Sequence, residues 1–210
     1  MRKTKEAQER RNEILDVAEA LFNEQGYDAT STNDILKKIG IARGTLYYHF
    51  ESKEAIMDGI IDRYNRKVVA GVQSIVGRKE IPVVSRLLMA ITSLNVSGSV
   101  SEELMTHIHK PQNALMHQKI QQVLFKDITP IFTEIIQSGI DEKIFHTPYP
   151  YESVEMLLVY AVTIFDDGTI ELTKEEQMQR MIAFAYNVER LLGTEEGMIS
   201  QQLMEILTKE

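Results

Sequence analysis

The sequence predicts an all-α protein, with a small N-terminal helix-turn-helix domain followed by a larger helical domain. Three observations carry that prediction. Apolar residues recur at helical spacing along almost the whole chain, no stretch sustains the period-two alternation of a half-buried strand, and hairpin dipeptides such as Asp167-Gly168 are nearly absent. The chain has 210 residues, 43% of them apolar and 26% charged, enough to bury a core and too apolar for disorder.

The elements follow in order. Ile14, Leu15, Ala18, Leu21 and Phe22 make a helical stripe that stops at Gly26, a residue suited to the left-handed position after a helix. Thr30-Ser31-Thr32 offers helix-capping side chains to a second stripe, Ile35, Leu36 and Ile39, closed by Gly40. A third short helix fits between Ala42 and Tyr48. Ser52 then caps a fourth through Ile56, Ile60, Tyr64 and Val68, with a glycine-containing break expected from Gly71 to Gly77.

Pro82 suits a first helical turn, and Val84, Leu87, Leu88, Ile91 and Leu94 continue from it until Ser97-Gly98-Ser99. A short helix is expected from Ser101 to His109, ahead of Pro111. A long one carries Met116, Ile120, Val123, Leu124, Ile128, Ile131 and Ile135, ends at Gly139, and is expected to kink at Pro130. Residues 151–166 are apolar on nearly every side, which predicts burial on every side. Thr173-Lys174-Glu175-Glu176 reads as a capping box that opens a helix running to Leu192 and stopping at Gly193. A weakly amphipathic segment covers 199–207.

The net charge of −8 taken alone argues against a nucleic-acid binder, but it is unevenly distributed. Residues 1–53 hold nine bases and nine acids, so the rest of the chain supplies the whole deficit, and the first eleven residues hold five bases to two acids. A less acidic head with a basic end suits an approach to phosphate, while the acidic body favours solubility. The absence of cysteine excludes disulfides and thiolate chemistry. With no apolar run long enough to span a bilayer and a charged N-terminus, the expectation is a cytoplasmic protein with no membrane association.

Residues 31–50, Ser-Thr-Asn-Asp-Ile-Leu-Lys-Lys-Ile-Gly-Ile-Ala-Arg-Gly-Thr-Leu-Tyr-Tyr-His-Phe, place two short helices around a tight turn at Gly40, the helix-turn-helix arrangement. Its second helix would enter the major groove of DNA. Arg43, Thr45, Tyr48 and His49 can face outward there while Leu46 and Phe50 face the core. Arg43 suits a guanine edge, and Thr45 a base edge or a thymine methyl. Tyr47 or Tyr48, with Lys53, suit phosphate. Thr32, Asn33 and Gly44, near the starts of the two helices, complete the expected contact set.

Ile14-Leu15, Ala18, Leu21-Phe22, Gly26-Tyr27, Thr30-Ser31-Thr32, Ile35, Gly40-Ile41, Gly44 to Phe50 and Ser52-Lys53-Glu54 together resemble the N-terminal domain of the tetracycline-repressor (TetR/AcrR) family. Leu36, where that family usually has a small residue, and Ala42, where serine is frequent, depart from the pattern. The resemblance implies a domain over 1–53, a linking helix of about 52–68, and a ligand-binding and dimerisation domain over 69–210. It implies a non-enzymatic regulator that binds a palindromic double-stranded operator as a homodimer and is released by a small-molecule effector. The dimer is expected through helices of about 151–166 and 173–192, whose apolar surface exceeds what one monomer core needs. The effector, a small apolar ligand, is expected among Leu88, Thr92, Met105, His107, Met116, Phe132, Tyr160 and Phe165. No cofactor is implied.

Two other readings compete. His107, His109 and His117, with His146 elsewhere in the body, raise a metal-dependent hydrolase. However, His107 and His109 point to different sides of a helix and Pro111 separates them from His117, so no metal is expected. The other is a helical interaction module whose head has lost DNA binding.

Overall fold

The computed structural model describes residues 2–95, 114–165, 170 and 172–207. Among them lie α1 (Arg2–Gln25), α2 (Thr32–Ile39), α3 (Arg43–His49), α4 (Lys53–Val76), α5 (Val83–Asn95), α6 (Ala114–Asp141), α7 (Pro150–Ile164), α8 (Lys174–Leu192) and α9 (Ser200–Leu207), and no strand. The described chain forms two compact units, residues 2–66 with 114–120, and residues 67–95 with 121–165, 170 and 172–207. The helix expected from Ser101 to His109 lies outside the described residues.

In the first unit the α1 stripe supplies Ile14, Leu15, Ala18 and Phe22 to a core closed by Ile35 of α2, Leu46 of α3 and Ile56, Met57 and Ile60 of α4. α1 extends well beyond that stripe, back through the basic N-terminal segment. Gly59 allows α4 to pack closely, because a Cβ there would lie 3.0 Å from both Leu15 and Phe50. Arg63 on α4 forks to Asp16 and Glu19 on α1, and Lys119 reaches Glu54 (2.9 Å) and Asp58 (2.7 Å) on α4.

The expected break at Gly71 is absent, and α4 continues to Val76. An interior glycine costs a helix about 1 kcal/mol relative to alanine. Burial of Val68, Val72 and Ile75 outweighs that here.

The second unit is held by contacts between segments distant in sequence. Arg86 of α5 is 2% exposed; it donates to the Val76 and Ile81 carbonyls, to Ser138 Oγ and to Glu142 of α6. Four partners of this kind satisfy most of a buried guanidinium's donors. α6 runs past Gly139 to Asp141, with Pro130 inside it on the exposed side. Gly139 is therefore needed for space rather than as a stop. A Cβ there would fall 2.1 Å from the ring of Phe145, which is buried, and the Gly139 carbonyl accepts from the amides of Ile144 and Phe145.

The capping box of α8 forms as the sequence predicts, with Thr173 and Glu176 exchanging bonds, and Gly193 ends the helix at φ +66°. Beyond Gly193 the chain folds back on α8. Glu189, 1% exposed, accepts from the amides of Gly197, Ile199 and Ser200 at 3.1, 2.9 and 2.7 Å, which ties α9 to α8.

Burial of α7 on every side is not what the chain shows. Ser153, Val154 and Leu158 are buried, whereas Met156 is 63% and Val159 53% exposed. A single copy of the chain covers one face of α7 and leaves the other apolar and open.

Candidate nucleic-acid interface

The helix-turn-helix forms where the sequence places it, and its local bonds explain why. Thr30 is buried and donates to the Gly26 carbonyl (2.7 Å), which fixes the entry to α2. Ser31 caps α2 in a capping box with Asp34: Ser31 Oγ accepts from the Asp34 amide, and the Ser31 amide donates to the Asp34 carboxylate at 2.9 Å. The Ser31 hydroxyl also donates to the Asp34 carboxylate (2.6 Å), and this bond together with the Ser31 amide holds the Asp34 carboxyl below its ordinary range. Gly40 turns the chain at φ +77°, where its amide closes on the Leu36 carbonyl. Ala42 begins α3 without a side-chain cap, the structural consequence of the missing serine.

α3 is anchored by Leu46 and Phe50, both buried, so its other face turns outward. Arg43, Gly44, Tyr47 and Tyr48 are exposed, Tyr48 at 79%, while Thr45 and His49 are half-buried. Arg43 and Tyr47 are one helical turn apart, with the guanidinium 5.8 Å from the ring centroid. A Cβ on Gly44 would meet nothing within 4 Å, so bare backbone is offered at that point. On α2, Asn33 is exposed and Thr32 half-buried.

Lys53 differs in its surroundings from the sequence reading. Its ammonium donates to the Tyr27 carbonyl (2.7 Å) and lies 4.1 Å from the Tyr27 ring centroid, bracing the loop between α1 and α2. This bond spans 26 residues, so no local pattern announces it. Arg10 and Arg11, read only as part of a basic end, also join the site. Arg11 lies over the Phe50 ring at 4.4 Å. Burial and the charges of Arg11 and Arg10 push the His49 imidazole below its ordinary range. The five-to-two excess of bases in the first eleven residues was the available signal.

In the second unit, Leu87, Ile91, Leu94, Phe132, Ile136, Val154, Leu157, Leu158, Ala161 and Phe184 line a small, wholly apolar cleft with a cavity volume of about 30 Å³, close to that of one water. Of the expected pocket residues, Phe132 lines it. Leu88 is buried beside it, and the Thr92 hydroxyl donates back to the Met89 carbonyl, so the cleft uses the neighbouring face of α5. Tyr160 and Phe165 touch Phe184 rather than the cleft. Met105, His107 and His109 lie outside the described residues, as do the side chains of Met116 and His117. The His146 ring nitrogen Nδ1 lies 3.0 Å from the Gly193 carbonyl, a structural tie. Among the described residues no three His, Asp or Glu side chains converge as metal ligands, and no helix is long and apolar enough to cross a membrane.

A trihelical head with an outward recognition helix, on a chain whose second unit holds an apolar cleft, defines the helix-turn-helix class of two-unit helical proteins. Residues 14–60 match the family of bacterial regulatory proteins, tetR family, and residues 96–187 match the tetracyclin repressor-like C-terminal domain. The chain belongs to the tetR family of bacterial regulatory proteins.

Individual relatives match over the head. The HTH-type transcriptional repressor KstR2 of Rhodococcus jostii (strain RHA1) is 42% identical over 73 residues, 31% of this chain and 36% of that protein. The HTH-type transcriptional regulator AcrR of Shigella flexneri is 50% identical over 60 residues, 28% of each. The matches thus span about a third or less of those relatives.

Solved structures cover the rest of the fold. The complex of SmeT with triclosan, SmeT being the repressor of the Stenotrophomonas maltophilia multidrug efflux pump SmeDEF, aligns with TM-score 0.65 at 20% identity over 90% of this chain and 93% of that one. A gamma-butyrolactone receptor (ArpA-like protein) aligns with TM-score 0.61 at 17% identity over 94% of this chain and 95% of that one. These likenesses establish the fold.

Proposed function

We propose that this protein is a DNA-binding transcriptional repressor that acts in the cytoplasm, binds a palindromic operator as a homodimer and is released by a small apolar effector. The observation that carries this reading is α3, held to the core by Leu46 and Phe50 with Arg43, Tyr47 and Tyr48 outward. Arg43 reads a guanine edge, Thr45 a base edge or thymine methyl, and the tyrosines, His49 and Lys53 meet phosphate, with Thr32, Asn33 and Gly44 beside them.

Two heads are needed for a palindrome, with recognition helices roughly 34–36 Å apart. The open apolar faces of α7 and α8, with Met156, Val159, Met178, Ile182 and Tyr186 exposed, supply a self-complementary surface for the second copy. The cleft supports an uncharged effector, since its lining exposes no polar atom, and its small volume means that the effector enters by parting the helices that line it. The effector acts by population shift, preferring a body conformation in which the heads no longer match the operator, with α4 as the lever. A 100-fold loss of affinity takes about 2.7 kcal/mol of differential binding.

Selection of bound sequences from random double-stranded DNA tests the reading. An enriched inverted repeat is expected, and Arg43→Ala should cost about 1–3 kcal/mol on it while relaxing preference at one position of each half-site. No enriched repeat, or an unaltered preference in Arg43→Ala, overturns the assignment of α3.

A further inference from the structure

α7 stands between two apolar surfaces. Val154, Leu157, Leu158 and Ala161, at helical spacing, line the cleft. Met156, Val159 and Tyr160 occupy the adjoining exposed face. Phe184 of α8 belongs to both sides. It lines the cleft, and its ring stacks on Tyr160 with centroids 5.2 Å apart and planes 9° from parallel. Phe165 meets both rings edge-on, at 5.9 Å from Tyr160 and 5.6 Å from Phe184.

A stacked pair of rings is therefore the material between the cleft and the face that the second copy covers. The cleft holds a volume of about 30 Å³, so a molecule larger than a water enters only by moving its walls, and movement of Phe184 disturbs the ring stacked on it. The cleft wall holds no polar atom whose hydrogen bond could absorb the displacement.

We propose that occupancy of the cleft is coupled to self-association through Phe184 and Tyr160. An uncharged apolar molecule in the cleft changes the strength of the α7–α8 dimer contact, and dimerisation changes the affinity for that molecule by the same factor. This rests on the dimer and effector assignments above and adds the path between them: effector binding acts on the interface between copies directly, besides any movement of α4.

The test uses the full chain and N-phenyl-1-naphthylamine, an uncharged apolar fluorophore. Sedimentation velocity gives the dimer dissociation constant with and without the probe. A change on the order of fivefold or more is expected. Probe affinity measured by fluorescence should change by the same factor between protein concentrations below and above the dimer midpoint. Ala161→Phe, which fills the cleft, should abolish both binding and shift. Phe184→Leu keeps an apolar wall without the ring, and should bind probe and dimerise while losing most of the shift. If that variant does not fold, Tyr160→Leu, on the exposed side, makes the same comparison.

A bound probe with an unchanged dimer constant, or a full shift persisting in the folded ring-deleted variant, overturns the coupling and leaves the dimer and the cleft standing. A probe that does not bind, or binds equally to Ala161→Phe, overturns the coupling together with the cleft as effector site. A chain monomeric at every concentration overturns the dimer assignment itself.

Discussion

The head and the body are both made of helices with apolar stripes, but they place their functional side chains differently. In the head, the expected DNA contacts fall between Thr32 and Lys53, and the bonds that shape them are local: Thr30 to Gly26, Ser31 to Asp34 and Gly40 to Leu36. In the body, the cleft gathers residues from Leu87 to Phe184, and its frame is held by Arg86 to Glu142, Ser85 to Gln202 and His146 to Gly193. A surface on one helix-turn-helix needs only correct local geometry. A cleft among four helices depends on every long-range contact that sets their spacing, so the body should be the more sensitive to single substitutions.

The sharpest way to break that contrast is Gly139→Val. The new side chain starts 2.1 Å from a ring atom of Phe145, and both the α6 end and the following turn are fixed by the bonds to the Gly139 carbonyl. Overpacking of this kind costs about 3 kcal/mol. Urea unfolding should show that loss, with the cleft's probe binding weakened. A change below about 0.5 kcal/mol would mean that Phe145 does not occupy this place.

The same contrast explains what the sequence discloses. The spacing of Ile14, Leu15, Ala18 and Phe22, the caps Ser31 and Thr173 and the stops Gly40 and Gly193 all act within one or two turns, so they can be read directly. Gly139 looked like another stop, because nothing near it in sequence shows the ring of Phe145 against it. The expected pocket residues Leu88 and Thr92 lie about 100° around α5 from Leu87 and Ile91, which line the cleft, a difference that apolar periodicity does not resolve. The open face of α7 was legible only as an excess of apolar residues. Which side stays uncovered depends on α5, α6 and α8.

A second prediction sharpens the body's side of the comparison. Burial raises the Glu189 carboxyl, but the amides of Ser200, Gly197 and Ile199 outweigh it and hold the group below its ordinary value of 4.5. A depressed folded value means that the ion's contribution is complete above the ordinary value and lost as pH falls through the folded one. Glu189→Gln should cost about 1.5 kcal/mol at neutral pH and flatten the acid limb of a stability–pH curve measured by thermal unfolding. An unchanged acid limb would remove Glu189 as the tie between α8 and α9.

Lys53 is the head's exception, since its bond to the Tyr27 carbonyl is long-range. An ammonium has three donors, so it can brace this loop and still face phosphate. Lys53→Met should lower head stability by about 1 kcal/mol and weaken binding to all DNA sequences alike, with the salt slope reduced by about one. A stability loss with the slope intact would assign Lys53 to the loop alone.

The smallest effect tests whether the head's surface is tuned beyond simple exposure. His49 ends α3 with its ring edge-on to Tyr48 at 5.0 Å, and burial together with Arg11 and Arg10 of α1 favours its neutral form in the free protein. Phosphates brought near by DNA oppose those arginines and favour the imidazolium, so binding takes up a proton. Affinity should therefore rise as pH falls through the ordinary histidine range toward the depressed value. His49→Gln should remove that slope and, if His49 faces the phosphates as proposed, leave sequence preference intact. Equilibrium titrations of the selected operator at fixed ionic strength measure both. An identical pH slope in the variant would place the titrating group elsewhere, and a changed sequence preference would move His49 from the phosphates to the base edges.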